Sequence, residues 1–132
     1  MEEWRSRAIE SFPELHAELV DPDEIFSVYA LWFELLPLAE EAHRTGDDDP
    51  LKRIYGYASW CFDQCGDLRN AVAVSFYEHL LDERWMRPLA LPWLNARVVR
   101  EVRPLWSDRR LTIDDMREVD TLIAAGDSKR HS

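Results

Sequence analysis

DPLKRIYGYASWCFDQCGDLRNAVAVSFYEHLL, residues 49–81, reads as two helices folded back on one another, and the rest of the chain is arranged around it. Asp49 supplies an N-cap acceptor, and Pro50 follows where a missing N–H costs nothing because no carbonyl precedes to receive it. From Leu51 the apolar positions Leu51, Ile54, Tyr55, Ala58, Cys61, Phe62 and Cys65 recur at the spacing of one face of a 3.6-residue helix. Gly66 is the expected stop, since glycine accepts the positive φ that a helix end commonly needs. Asp67 then opens a second helix through Leu81, in which only Arg69, Asn70, Ser75, Glu78 and His79 interrupt the apolar residues. A helix apolar on nearly all sides belongs in an interior. Burial of its larger side chains, at roughly 1.5 to 3 kcal/mol each as an upper figure, would dominate the favourable side of folding.

Towards the N-terminus, residues 3–10 form a short helix on this reading. Ser11 with Glu14 makes a capping-box pattern for a second helix through about Val20, with Pro13 in its first turn. Asp21, Pro22 and Glu24 repeat that start signal ahead of a long apolar segment from Ile25. Pro37 falls inside this segment, so a kink or break is expected before the helix resumes to about Arg44. Thr45, Gly46 and Asp47 to Asp49 make a polar turn.

Towards the C-terminus, Pro88, Pro92 and Pro104 restrict regular structure to short pieces. Turns of helix are expected at 83–87 and 92–94, then a better helix from Ala96 to Arg103 capped by Asn95, and a loop over 107–110. Thr112 and Asp115 open a last helix with Ile113, Met116, Val119, Leu122 and Ile123 as its buried stripe and Gly126 as its end. Residues 127–132 are expected to fray. No alternating strand pattern competes, so the fold class is all-α: a single domain over 1–126, of about six to seven short helices, as an irregular bundle or a small curved stack of helix pairs.

A chain of 132 residues, 46% hydrophobic and 32% charged, supports a hydrophobic core without metal or disulfide staples. Cys61 and Cys65 lie four apart on one helix face, where a disulfide would strain the helix, and both read as small buried hydrophobes. The opening Met-Glu-Glu-Trp resembles no secretory leader. The most apolar window, 25–39, is shorter than a bilayer crossing and contains Glu34 and Pro37, so a soluble cytoplasmic protein is expected. Net charge is −10 and unevenly placed, because residues 1–49 carry 14 acidic and 3 basic side chains while the remainder is close to neutral. That balance disfavours nucleic acid, whose phosphates supply most of the binding energy.

Motifs for chemistry are sparse. Glu40 and His43 form one Glu-x-x-His element where a di-metal bundle needs two, and Glu78 with His79 does not supply the second. The cysteines lack further soft ligands, no glycine-flanked serine or phosphate-cradling loop occurs, and the four histidines are scattered over polar faces or the tail. No catalytic residue, metal site or cofactor is assigned. Arg97, Arg100 and Arg103 form a row suited to phosphate or carboxylate, to solvent, or to pairing with the acidic N-terminal third. The acids Glu40, Glu41, Asp47, Asp48 and Asp49 form the best candidate binding surface, one that would attract a basic protein and accelerate encounter.

With Leu51-Lys-Arg-Ile-Tyr-Gly-Tyr-Ala-Ser-Trp-Cys, Asp67-Leu-Arg-Asn-Ala-Val-Ala-Val-Ser-Phe-Tyr-Glu-His-Leu and the upstream Phe12-Pro-Glu-Leu in view, the chain resembles a family of small bacterial all-helical proteins of uncharacterised function, most clearly over residues 9–81. The resemblance implies kinship with helical proteins encoded near polymorphic toxins, some taken to be immunity proteins, and brings no catalytic motif. The expectation is therefore a non-enzymatic protein-binding module, an immunity-type inhibitor of a basic toxin domain. The alternatives are a structural or regulatory homodimer using Trp85, Trp93 and Trp106, or a small-ligand protein in which Glu40, His43, Glu78 and His79 converge.

Overall fold

The computed structural model describes residues 2–20 and 27–130, with side chains through Gly126. Among these residues the protein is all-α, with no strand. Those residues form eight α-helices, with 3₁₀ turns after α1, α5 and α6 and a π turn after α7: α1 (Glu3–Ser11), α2 (His16–Val20), α3 (Val28–Thr45), α4 (Asp48–Phe62), α5 (Asp67–Ser75), α6 (Arg87–Ala90), α7 (Ala96–Leu105) and α8 (Ile113–Arg130). The chain divides into two compact units, Met1–Phe76 and Tyr77–Ser132.

In the first unit α3, α4 and α5 pack pairwise against one another and α1 lies on α4. Its centre is aromatic. Trp32 sits 4.8 Å from Phe76 and 5.6 Å from Tyr57, whose ring meets Phe12 edge-on at 5.6 Å. Tyr57 also donates its hydroxyl proton to the Trp4 carbonyl at 2.8 Å, which ties α1 to α4.

Local chemistry shifts several expected boundaries here. Ser11 ends α1 instead of capping a second helix, because Pro13 disfavours the α conformation at Phe12, whose φ of −132° and ψ of 70° break the chain path before the 3₁₀ turn Pro13–Leu15. The start signals at Asp21, Pro22 and Glu24, with Ile25 and Phe26, lie outside the described residues. Ser27 caps α3, its hydroxyl accepting from the Ala30 N–H at 3.1 Å. The helix then runs unbroken through Pro37. Proline removes the donor for the Phe33 carbonyl, but that turn faces outward, where water can serve the carbonyl instead. Gly46, at φ 71° and ψ 28°, ends α3 in the left-handed conformation, and the N–H of Asp47 returns to Ala42 O at 2.9 Å as in a Schellman turn.

The organising pair is shorter than its sequence suggests. Helix α4 starts one turn before Leu51 and stops at Phe62, so Cys61 is buried whereas Cys65 is exposed, contrary to the pairing of both as core residues. Gly66 does adopt positive φ, 69°, but as the residue leading into α5, and Asp67 is the first helical residue with no side-chain cap on Gly66's far side. Helix α5 ends at Ser75, and Phe76 leaves the helical region at φ −123° and ψ −69°. What reads as one helix apolar all round is two successive segments, each apolar toward the interior of its own unit.

In the second unit the 3₁₀ turn Tyr77–His79 packs on the π-helical turn Trp106–Arg110, and α8 packs on α6, on the 3₁₀ turn Leu91–Trp93 and on the π turn. Trp106 is fully buried and its indole N–H donates to Tyr77 O at 2.8 Å. Asn95 caps α7 through Val98 N at 2.9 Å, as its position predicts. Pro104 lies within the last turn of α7, and the expected loop over 107–110 is instead the π turn, closed by Leu111 N to Trp106 O at 2.8 Å. Thr112 and Asp115 form a reciprocal capping box at the start of α8. Met116 and Val119 are buried, but Ile113, first in the helix and off the centre of that stripe, is 76% exposed. Helix α8 continues past Gly126, where a stop was expected, since a single glycine inside a helix costs only about 1 kcal/mol.

Candidate binding face on the third helix

Helix α3 buries Leu31, Trp32, Leu35, Ala39, Ala42 and His43 on one side. The opposite side carries Phe33, Glu34, Pro37, Leu38, Glu40 and Glu41. Phe33 is 63% exposed and Leu38 41%, unusual for large apolar residues on a helix that otherwise sorts cleanly. Phe33, Pro37 and Glu40 follow at spacings of four and three and so share a ridge, with Glu34, Leu38 and Glu41 forming the next.

The structure brings the predicted acids to one end of this helix pair. Glu40 and Glu41 lie in the last turns of α3, Asp47 occupies the N-cap position of α4, and Asp48 and Asp49 fill its first turn, where the helix dipole favours negative charge. Their partners differ. Arg44 binds Glu41 at 2.8 Å, and Arg53 reaches Asp49 at 3.4 Å and Glu14 at 3.3 Å while donating to Ser11 O at 2.9 Å. Glu34, Glu40 and Asp47 have no ion-pair partner among the described residues. Asp48 raises the proton affinity of His43, against the larger opposing effect of burial, which leaves that imidazole below its ordinary pKa. His43 is therefore a buried group bonded to the Tyr55 hydroxyl at 2.8 Å, not the surface histidine its sequence position suggests. A residue next to charged Arg44 and Glu41 gave no sign of facing inward except its place four after Ala39 in the buried stripe.

Within the second unit, the described arginines other than Arg100 have local partners. Arg87, 3% exposed, holds Asp115 at 3.1 Å and Leu81 O at 2.9 Å. Arg84 pairs with Glu118, Arg97 with Glu101, Arg103 with Asp120, Arg109 with Glu78 and Arg110 with Asp82.

The other candidate sets resolve differently. Glu40 and His43 belong to the first unit. Glu78 and His79 belong to the second, where the His79 ring lies 3.2 Å from Asp82 and 3.6 Å from Glu78. Trp106 cannot serve a dimer contact as its sequence context suggested, because it is enclosed in the core; Trp85 is 37% exposed and Trp93 half-buried. No group of three or more His, Cys, Asp or Glu side chains among the described residues is arranged to hold a metal ion, and no helix among them is long and apolar enough to cross a membrane.

Comparison with known families matches residues 5–111 to a domain of unknown function, DUF7674. The chain belongs to the DUF7674 family. The DUF7674 region includes α1 through the π turn and stops just before α8, so the candidate face on α3 and α4 lies wholly within it. No curated protein and no solved structure matches the chain.

Proposed function

We propose that this DUF7674 protein is a non-enzymatic binding module that docks a basic protein domain on the outer face of α3 and the start of α4, in the manner of an immunity-type inhibitor of a basic toxin. The observation that carries the reading is Phe33, a large aromatic ring held 63% exposed on a regular helix among Glu34, Glu40 and Glu41. Protein interfaces combine an aromatic or aliphatic anchor with a charged rim, the anchor supplying affinity and the rim steering encounter and choosing the partner. Phe33, Pro37 and Leu38 are such an anchor. Glu34, Glu40, Glu41 and Asp47 to Asp49 are the rim. An inhibitor that works by occlusion needs surface complementarity and no reactive group.

The test is affinity capture from the native host with the wild-type chain, a Phe33→Ser variant and a Glu40→Lys/Glu41→Lys variant in parallel. A basic protein retained by the wild type and weakened at least tenfold by either variant supports the reading, and co-expression should relieve any toxicity of that protein. Absence of a captured basic protein, together with no protection, or capture indifferent to both variants, overturns it.

A further inference from the structure

The second unit contains a groove of about 430 Å³ between the Pro88–Trp93 stretch, α7 and the later part of α8. That volume falls in the range of small-molecule sites, roughly 300 to 1,000 Å³. Leu91, Pro92, Val99, Leu122 and Ile123 give it apolar walls, and Arg100 is the charged residue on its lining among the described residues. The neighbouring arginines on α7 are occupied, Arg97 by Glu101 at 3.4 Å and Arg103 by two bonds to Asp120 at 3.0 and 2.6 Å. Arg100, between them, has no hydrogen-bond or ion-pair partner among the described residues. An apolar cleft thus has an available arginine on its lining.

We propose that this groove binds a small amphipathic carboxylate of the straight-chain alkanoate class, its hydrocarbon body against Val99, Leu122 and Ile123 and its carboxylate on Arg100. The chemistry of the walls selects the occupant. A guanidinium presents two parallel N–H groups that match the two oxygens of a carboxylate, and a single arginine balances a single negative charge. A polypeptide is a poor fit, because its backbone N–H and C=O groups would meet apolar walls with no partners. Each further methylene buried should tighten binding roughly fourfold until the groove is filled. One wall of this site, α8, lies outside the region matched to the DUF7674 family.

Calorimetric titration of the full chain with hexanoate, octanoate and decanoate, all below their micellar concentrations, and with decanol as the uncharged control, tests this. Saturable binding that strengthens from hexanoate to decanoate is expected. Arg100→Gln, at an exposed position where folding is not at stake, should weaken decanoate about tenfold or more while leaving decanol unchanged, and Ala96→Phe, which fills the groove beside an intact Arg100, should abolish both. No saturable decanoate binding, affinity indifferent to chain length, or an Arg100→Gln variant that binds decanoate like the wild type overturns the proposal. Two alternative occupants would also overturn it. A dimer seen by light scattering and dissociated by Ala96→Phe would assign the groove to a second copy, and a tenfold gain in decanoate affinity on deleting residues 127–132 would assign it to the chain's own end.

Discussion

Tyr57 shows how much a single side chain holds in the first unit. Its ring is buried against Phe12 and Trp32, its hydroxyl is the donor for Trp4 O, and burial pushes its ionisation far above the usual phenol range. Tyr57→Phe keeps the ring and removes the second of two bonds to a carbonyl that also serves the first turn of α1, so urea unfolding should show a loss of about 0.5 to 1.5 kcal/mol. Position 57 was not on the apolar stripe read from the sequence, because that stripe assumed one buried face for α4 and the helix has a second, covered by α1. One turn later Cys61 is enclosed, its thiol pushed up to about 12 by burial, whereas Cys65 lies outside the helix and exposed. An aromatic disulfide reagent at neutral pH should therefore titrate one thiol in the folded protein and two in denaturant, and Cys65→Ser should remove the fast one. His43 carries a pH dependence with a definite sign. Its folded pKa lies below the unfolded value of about 6.5, so the neutral form is favoured by folding, and the stability it contributes is present above that value and declines as pH falls toward the folded pKa. His43→Gln should cost stability at pH 7.5 through the lost contact with Tyr55, and the gap from wild type in denaturant melts should narrow on acidification from pH 7 to about 5.

At the scale of elements, the helix ends separate two kinds of glycine. Gly66, at φ 69° and ψ −137°, occupies a region open essentially to glycine alone, and a Cβ there would meet no atom within 4 Å, so strain and not crowding is the penalty. Gly66→Ala should cost about 1 to 3 kcal/mol. Gly56 sits inside α4 with equal space, and Gly56→Ala should stabilise by about 0.4 to 1 kcal/mol by restricting the unfolded chain. Paired thermal melts of the two variants check both signs. Ser11 with Glu14 and Gly126 carried local signals that misplaced a helix boundary, but at Asn95 before α7 and at Thr112 with Asp115 before α8 the caps were legible in advance. Signals that depend on the environment were not. Pro37 announces a kink or a break, and because its turn faces outward α3 continues through it without a break. The apolar run from Leu68 to Leu81 announces one interior helix, but periodicity cannot distinguish a rod buried all round from two shorter pieces that bury different sides.

For the molecule as a whole, charge placement is the property with the longest reach. Among the described residues, the second unit's arginines other than Arg100 pair with acids of that unit, while the exposed acids of α3 and α4 keep the first unit negative. If a basic domain docks there, its association rate should fall at least tenfold as ionic strength rises from about 0.05 to about 0.3 M, with dissociation changing much less, in stopped-flow measurements. The skew behind this forecast is countable from the sequence alone, as are the five acids that border the turn. Phe33 was visible only as one apolar letter in an apolar segment, since which letters of such a segment face outward depends on the neighbours the helix acquires. Arg100 was likewise one of three equivalent arginines until its companions found carboxylates.

Asp115 belongs to two structures at once. It closes the capping box with Thr112, whose hydroxyl and backbone bonds hold its carboxyl below the ordinary range, and it receives the buried guanidinium of Arg87. The signal that begins α8 and the clamp that seats it on α6 are therefore a single acid. Neither can be inherited separately: a segment transplanted here from another protein would need aspartate as its fourth letter, and a version of this chain that lost Arg87 would keep a well-begun helix whose first turn had lost its buried anchor on α6.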